Sequence, residues 1–552
     1  VLAGAVVAAL SLALYVPTLL PDVGTWDTAE FQAIGPLLGI AHPTGYPTYT
    51  LLAWLASVVL QPFGNEAYRA DLLSALLMAG AAGLLAIRAV QATRRWPLGI
   101  VAGTAFAVAP VAWRLSTRAD AHALHVFLAA LILVLLAEWQ QRSGGDRGGG
   151  SRWLLAAAVV YGLSLGNHAL TLLLAPGIAA YVLVVAPRIL WRQWRLVLGC
   201  LAATTLVAAL VYAYLPLRSA MDPPLDYGDP ETWGAFWYVV LGQQFQGSFG
   251  ALPSLPDLVA GVWDELVRNL GPLATLVPAG AVLGTLRHPR LVVATGLWLA
   301  CTWLFALGYP NAAIERYYLV PLLVAALWVA LAADVAWDAL VALVRTPLGP
   351  RGAAPLVPET AVAAAAVRAP QALGSAANSP GRWWPGRLLP GLLVAALLAI
   401  SLAAVPGRHE AMDASDETFG REWLEATLRA LPPDAAVISW WSYSTPLWYG
   451  RWVEGRREDL VIVDDRDVLD SGLGTVEGAI EHFLGRRPVY VIRLERDLAA
   501  LAERYILERV PEVPGPGHLY RVVGRRLAGR ASVRPAGAAR RPGGRAAVRP
   551  EG

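Results

Sequence analysis

The sequence predicts a mainly α fold: a polytopic transmembrane helical bundle carrying a small α/β domain near its C-terminal end. Three observations carry that prediction. Of 552 residues, 56% are hydrophobic and only 15% are charged, whereas soluble domains hold about 25% charged residues. Leu, Ala and Val runs close to the ~20 residues that cross a hydrocarbon core recur over residues 1–406. Beyond them the pattern changes to short β-branched runs separated by helical stretches.

The apolar runs give about eleven candidate spans, at 1–20, 72–89, 97–113, 122–139, 153–167, 169–186, 196–215, 271–286, 291–308, 318–343 and 388–406. The first run is longer than a signal-peptide core and has no basic stretch before it, so it is expected to be a true first helix. Placing the N-terminus in the cytoplasm puts Arg88, Arg94 and Arg95, then Arg142, Arg147 and Arg152, on inner loops. Arg188, Arg192 and Arg195, Arg287 and Arg290, and the arginines of 345–387 follow them, as the positive-inside rule requires. Arg69, Arg114 and Arg118 fall outside, so the bias is a majority. The apolar stretch 48–60 is short for a crossing and suits a re-entrant or interfacial helix.

The resulting domains are a bundle at 1–343 with outer loops 21–71 and 216–270, and a Pro-, Ala- and Gly-rich cytoplasmic linker at 344–387. A last span at 388–406, an extracytoplasmic α/β domain at 407–525 and an Arg-rich tail at 526–552 complete the chain. In the α/β domain, 436–439, 459–463 and 488–493 read as strands, and 417–430 and 475–484 as helices. A formal charge of +3 is too small to suggest a nucleic-acid partner. Two cysteines, both in apolar runs, provide neither a disulfide framework nor a zinc signature.

One orientation gathers Asp22, Asp27, Glu30, His42, Asp120, His122, His168, Arg218, Asp222, Asp226, Asp229, Glu315 and Arg316 on the outer side. Asp27 and Glu30 are three apart and share a face if helical. Paired carboxylates beside apolar surface divide into a general base and an orienter, while acidic residues also suit a helix N-terminus. His42, Pro43, Thr44, Gly45, Tyr46 and Pro47 form a turn motif, in which His42 either bonds the site or caps the turn. His168, after Asn167, is a ligand, a phosphate donor or a satisfied interfacial ring. Asp27, Asp120 and His122 have the donor types for a shared divalent cation, without dependable metal spacing. The loop aromatics Tyr227, Trp233, Trp237, Tyr238 and Phe245 suit either headgroup depth or sugar stacking, and Gln243 and Gln244 can bond a sugar. Trp440, Trp441, Tyr443, Trp448, Tyr449 and Trp452 form an aromatic patch, read as a dock against the membrane domain before an acceptor site.

Trp26-Asp27-x-x-Glu30-Phe31, followed by the His42–Pro47 motif, resembles a membrane family that includes a eukaryotic protein O-mannosyltransferase, related to the GT-C glycosyltransferases. The likeness continues through Gly162 to His168, Pro223 to Pro230 (with Asp226 and Asp229), and Glu315-Arg316-Tyr317-Tyr318. It departs at Thr44, where the family usually has proline, at Tyr227, usually tryptophan, and at Ala119-Asp120-Ala121-His122, usually Ala-Glu-x-Tyr. The resemblance implies a polyprenyl-phosphate sugar donor and a carboxylate base, which maps onto Asp27 with Glu30 second.

A hydroxyl nucleophile needs such a base. The departing lipid phosphate needs a cationic clamp, for which Arg218 and Arg316 stand at outer span ends; snorkelling for Arg218 and an ion pair with Glu315 for Arg316 are the alternatives. His42, Tyr46, Asp120, His122, Asn167, His168, Asp226, Asp229, Gln243 and Tyr317 are expected to bind substrate or shape the site. Mannose is the favoured sugar, a protein Ser/Thr or a glycan the acceptor, and a bacterial-type plasma membrane the setting. A transporter, or a non-catalytic scaffold acting through 407–525, is the competing reading.

Overall fold

The computed structural model describes residues 1–143, 150–250, 253–309, 313–345, 385–465 and 472–526. All but the ends of the expected linker, and all but the first residue of the expected tail, lie outside the described residues.

Among the described residues, seven helices are long and apolar enough to cross a membrane: Glu66–Thr93, Ala121–Ser143, Trp194–Ser219, Leu255–Arg287, Pro289–Leu307, Ile314–Val344 and Leu388–Met412. An eighth crossing results if Trp96–Ala107 and Pro110–Ser116, bent by 69°, act as one. Pro110 supplies no N–H to continue the first helix and forces Ala109 into an extended conformation. The protein is therefore an integral membrane protein; against the expected about eleven spans, length and apolarity together pick out seven among the described residues, or eight with the bent pair counted as one. Leu2–Thr18, Ser151–Leu165 and Ala169–Val185 are apolar helices of 10–17 residues. The last two are cut short by the polar Asn167-His168 break. The stretch expected to be interfacial forms the helix Pro47–Val59, also in the shorter class. Residues 255–270, expected in the outer loop, instead begin the 33-residue Leu255–Arg287 helix. At ~1.5 Å per residue its ~50 Å exceed the ~30 Å hydrocarbon core, so part of it stands outside the apolar layer.

Small residues let the helices approach closely. A Cβ on Gly4 would lie 2.6 Å from the Gly83 carbonyl oxygen, and one on Gly103 2.8 Å from that of Ala82. Such contacts replace the hydrophobic drive that is missing between helices in lipid. The Ile314–Val344 helix runs through the middle, its 319–335 stretch buried throughout. Trp194–Tyr212, by contrast, buries no residue, and its leucines face outward.

The C-terminal region holds a five-stranded sheet, β1 (Ala436–Ile438), β2 (Val461–Val463), β3 (Val489–Ile492), β4 (Tyr505–Arg509) and β5 (Leu519–Arg525), in the order β2-β1-β3-β5-β4. β1 pairs parallel with β2 and β3, whereas β5 runs antiparallel to β3 and β4. The fully buried β1 and β3 are unbroken apolar runs, as expected of parallel interior strands. Strands β4 and β5 add to the three expected ones; Glu508 and Arg509 in β4, and Arg521, Gly524 and Arg525 in β5, break up their apolar runs. The helix Trp441–Trp448 leaves the end of β1 and packs on the helix Trp26–Leu37.

Candidate active site

A cavity of about 1230 Å³ opens between one end of the membrane-helix bundle and the C-terminal domain. Its floor begins with the helix Trp26–Leu37, whose first turn carries Asp27, where a negative charge is favoured by the helix dipole. Arg316 Nη1 donates to Asp27 Oδ2 at 2.7 Å, and the Trp441 indole N–H donates to Oδ1 at 2.8 Å. Burial pushes the Asp27 carboxyl up, but His42, Arg316 and the Trp441 hydrogen bond more than offset this and hold it below the usual carboxylate range. Asp27 is therefore ionised at neutral pH.

Glu30, one turn on, is 2% exposed and does not line the cavity. Its carboxylate accepts from the His42 backbone N–H at 2.8 Å and meets His42 Nδ1 at 2.5 Å. Burial raises the Glu30 pKa against the pull of His42. Burial lowers that of His42, and Glu30 and Asp27 raise it further, to a net position above 6.5. The two carboxylates thus differ in role, since Asp27 faces the cavity and Glu30 orients His42. The His42 ring in turn meets Tyr46 Oη at 3.1 Å. The turn between them needs Gly45, whose φ is +81° and whose Cβ would lie 3.1 Å from the Leu215 side chain.

Asp120 enters from the loop before Ala121–Ser143 and lies 3.7 Å from Arg316 Nη1. Its Oδ1 accepts from the His122 backbone N–H at 2.7 Å and meets His122 Nδ1 at 2.8 Å. Burial pushes Asp120 up, but Arg316 and His122 outweigh it and hold the carboxyl far below its ordinary value. With the Nδ1 proton directed at Asp120, His122 Nε2 is left as an acceptor; it is buried and has no hydrogen-bond partner among the described residues. His168 accepts from the Leu170 N–H at 3.0 Å and lies against His122 and Tyr317. All of these except Glu30 line the cavity, as do Tyr46 and Tyr317.

Five expected residues stand elsewhere. Arg218 donates to the carbonyls of Leu38 (2.8 Å) and Leu37 (3.1 Å), closing the end of the helix Trp26–Leu37; it is absent from the cavity wall. Asp226 and Asp229 both accept from Ser219 Oγ and fix the loop that bridges to Ile40. Asn167 is buried and donates to the Ala121 carbonyl, anchoring the start of that helix. Gln243 gives place to its neighbour Gln244, which lines the cavity and accepts from Tyr227 Oη at 2.8 Å.

The donor set does not suit a divalent cation shared by Asp27, Asp120 and His122. The guanidinium of Arg316 bridges the two carboxylates where such an ion would sit, and His122 Nδ1 is engaged by Asp120. No group of three His, Cys, Asp or Glu side chains among the described residues has the spacing of a metal site.

Two functional contributions escaped the sequence. Asp71, fully buried, accepts from Gln32 Nε2 (3.0 and 3.1 Å) and from the Ala119 N–H (2.6 Å). It ties the Asp27 helix to the loop of Asp120. A carboxylate early in an apolar run was the available signal. The other is Trp441: the aromatic patch packs on the bundle, with Trp440 edge-on to Trp26 and Tyr449 Oη accepting from the Ala67 N–H, yet Trp441 reaches past that contact to Asp27.

Comparison with known proteins gives a partial sequence match and a likeness of fold. Residues 27–190 match the family model of the protein O-mannosyl-transferase TMEM260 N-terminal domain, a segment that begins at Asp27 and includes His42, Asp120, His122 and His168. Protein O-mannosyl-transferase TMEM260 of Mus musculus is 32% identical over 232 residues, covering 41% of this chain. The chain spans only 31% of that relative's length. Among solved structures, ArnT from Cupriavidus metallidurans bound to undecaprenyl phosphate aligns with a TM-score of 0.57 at 16% identity, over 94% of this chain and 97% of ArnT. The Archaeoglobus fulgidus oligosaccharyltransferase aligns with a TM-score of 0.51 at 13% identity, over 94% of this chain and 72% of its own. At those identities the likeness is one of fold. Residues 27–190 are therefore similar to the N-terminal domain of the protein O-mannosyl-transferase TMEM260, and the chain resembles ArnT in fold over 94% of its length.

Proposed function

We propose that this protein is a GT-C membrane glycosyltransferase that moves a sugar, with mannose favoured, from a polyprenyl-phosphate donor to a hydroxyl at the extracytoplasmic face. A protein Ser or Thr is preferred over a glycan as acceptor, on the strength of the TMEM260 relationship. The observation that carries the reading is an ionised carboxylate, Asp27, held against a cationic side chain on the wall of one large cavity at the membrane edge.

In this mechanism Asp27 accepts the proton of the acceptor hydroxyl as its oxygen attacks the anomeric carbon. The bond from that carbon to the phosphate oxygen breaks, and the electron pair leaves with the polyprenyl phosphate. Arg316 receives the phosphate; a guanidinium has five N–H donors and suits a bidentate contact. Asp120, fixed by His122, holds Arg316 in place and compensates its charge before the donor arrives. The free Nε2 of His122 accepts from a sugar hydroxyl. A single displacement inverts the anomeric centre. Arg218, engaged by backbone carbonyls at a helix end, takes no part.

Purified protein in nanodiscs, given radiolabelled polyprenyl-phosphate mannose and other polyprenyl-phosphate sugars with Ser/Thr peptides and glycans, tests the reading. Transfer to a peptide, with inversion, is expected. A folded protein that transfers from none of the donors to any acceptor refutes it.

A further inference from the structure

The base is not held by the membrane bundle alone. Of the two hydrogen bonds to the Asp27 carboxylate, one comes from Arg316 at the head of a membrane helix, and the other from Trp441, more than 400 residues away in sequence, at the start of the helix that leaves β1. The Trp441 ring is itself fixed on three sides. It lies edge-on to His42 at 5.5 Å, to Tyr227 at 6.0 Å and to Trp448 at 5.6 Å between centroids. Tyr227 and His42 line the same cavity, so the indole is wedged between elements of the bundle and of the C-terminal domain.

We propose that Trp441 is a positioning residue for Asp27: its indole N–H fixes Oδ1 so that, with Oδ2 held by Arg316, the carboxylate presents a remaining lone pair to the acceptor hydroxyl. An ionised carboxylate has about four acceptor directions, so two donors set its rotamer and leave it able to take a proton. Because the donor is on the C-terminal domain, the base is aligned only when that domain is docked. The inference rests on the reading of Asp27 as base.

The indole N–H bonds an ionised carboxylate better than a neutral acid, and so it also favours the charged form. The other groups that bear on Asp27 are Arg316, His42, Glu30 and, across the cavity, Asp120, His122, Tyr46 and Tyr317. From the C-terminal domain Asp464 and Asp465 line the same cavity. None of these is altered by replacing Trp441 with phenylalanine, which keeps an aromatic ring and removes the N–H.

The test compares wild type, Trp441→Phe, Trp441→His and Asp27→Asn in nanodiscs with polyprenyl-phosphate mannose and a Ser/Thr peptide. Trp441→Phe is expected to lower kcat about tenfold with little change in KM for the donor. Trp441→His, which keeps a ring N–H donor, should recover part of the loss. A ratio to wild type of one overturns the proposal. If Asp27→Asn retains full turnover, it is the base reading that fails; if Asp27→Asn is inactive while Trp441→Phe matches wild type, only the role of Trp441 fails. An arm free of turnover uses protein labelled with 5-fluorotryptophan. The fluorine resonance missing in Trp441→Phe should move in Asp27→Asn, and a resonance that stays in place overturns the contact.

Discussion

One helix carries two charge clusters, and their difference shows what makes one of them a candidate site. At the head of Ile314–Val344, Arg316 joins Asp27 and Asp120. Near its other end, Asp334 and Asp338 meet Arg95 and Arg287, with Arg95 Nη2 to Asp338 at 2.5 Å and Arg287 Nη1 to Asp334 and Asp338 at 2.8 and 2.7 Å; Arg95 also pairs with Asp334. Residues 316 and 334 are ~27 Å apart along a helix, close to the ~30 Å of a hydrocarbon core. The two clusters therefore stand on opposite sides. The Asp334–Asp338 cluster is a closed set of matched pairs, a fastening between three helices. The Arg316 cluster faces a cavity of about 1230 Å³, beside aromatic rings and an imidazole nitrogen without a partner among the described residues. Paired charge holds the structure at one end and awaits a ligand at the other.

Removing the cation at each end is the sharpest way to break this contrast. Arg316→Ala should cut transfer ~10²–10³-fold, the scale for losing a donor to developing negative charge, with a raised KM for the donor. An Arg316→Ala enzyme within threefold of wild type would make the Arg316 cluster structural too. Asp71→Ala sharpens the comparison, since it disconnects Asp27 from the Asp120 loop without touching either. Leaving the Ala119 N–H unpaired, and Gln32 Nε2 with only its longer bond to the Asp22 carbonyl, should cost about 1–3 kcal/mol of stability and lower kcat, whereas Asp71→Asn keeps an acceptor and loses less. Both are read by thermal unfolding and transfer rate in the same nanodiscs. Arg95→Gln at the far end should cost about 1–3 kcal/mol and leave transfer within twofold. A large loss of turnover there, at unchanged stability, would contradict the division of labour.

The smallest effect is on pH dependence. Burial opposes charge on His42, but Glu30 and Asp27 place its pKa above 6.5. The stabilisation from its protonated form is complete below its unfolded value near 6.5 and is lost as pH rises through the folded value. The unfolding midpoint should fall between pH 6.5 and pH 9, with a shallower fall in His42→Gln; equal slopes would show that the Glu30–His42 contact contributes nothing to stability.

The sequence revealed much of this because lipid imposes strong rules. Apolar runs located every helix now seen to be long enough to cross, since an unpaired backbone is intolerable in hydrocarbon. The structure adds to the hydropathy pattern where length and backbone chemistry compete: the bend at Pro110, the polar break at Asn167-His168, and Leu255–Leu270, whose charged face concealed a helix. Within the site, Asp27, Asp120, His122 and Arg316 meet because each lies near a helix end on the same side of the bundle, a property that can be read from hydropathy, and His42 joins them from the turn before Pro47–Val59. Arg218 has the same address, yet its guanidinium is taken by backbone carbonyls 180 residues earlier, which no linear pattern reveals. Trp441 stands out in the sequence as part of an aromatic patch, but whether such a ring docks or reaches a carboxylate is settled by packing between domains.

The most direct measurement is a paired one: transfer of labelled mannose from polyprenyl phosphate to a Ser/Thr peptide by wild type and by Asp27→Asn, alongside donor binding and the unfolding midpoint of each. The variant is expected to fold and bind donor as wild type does but to turn over at least ~10²-fold more slowly. A folded Asp27→Asn protein that transfers at the wild-type rate would contradict the reading of Asp27 as base.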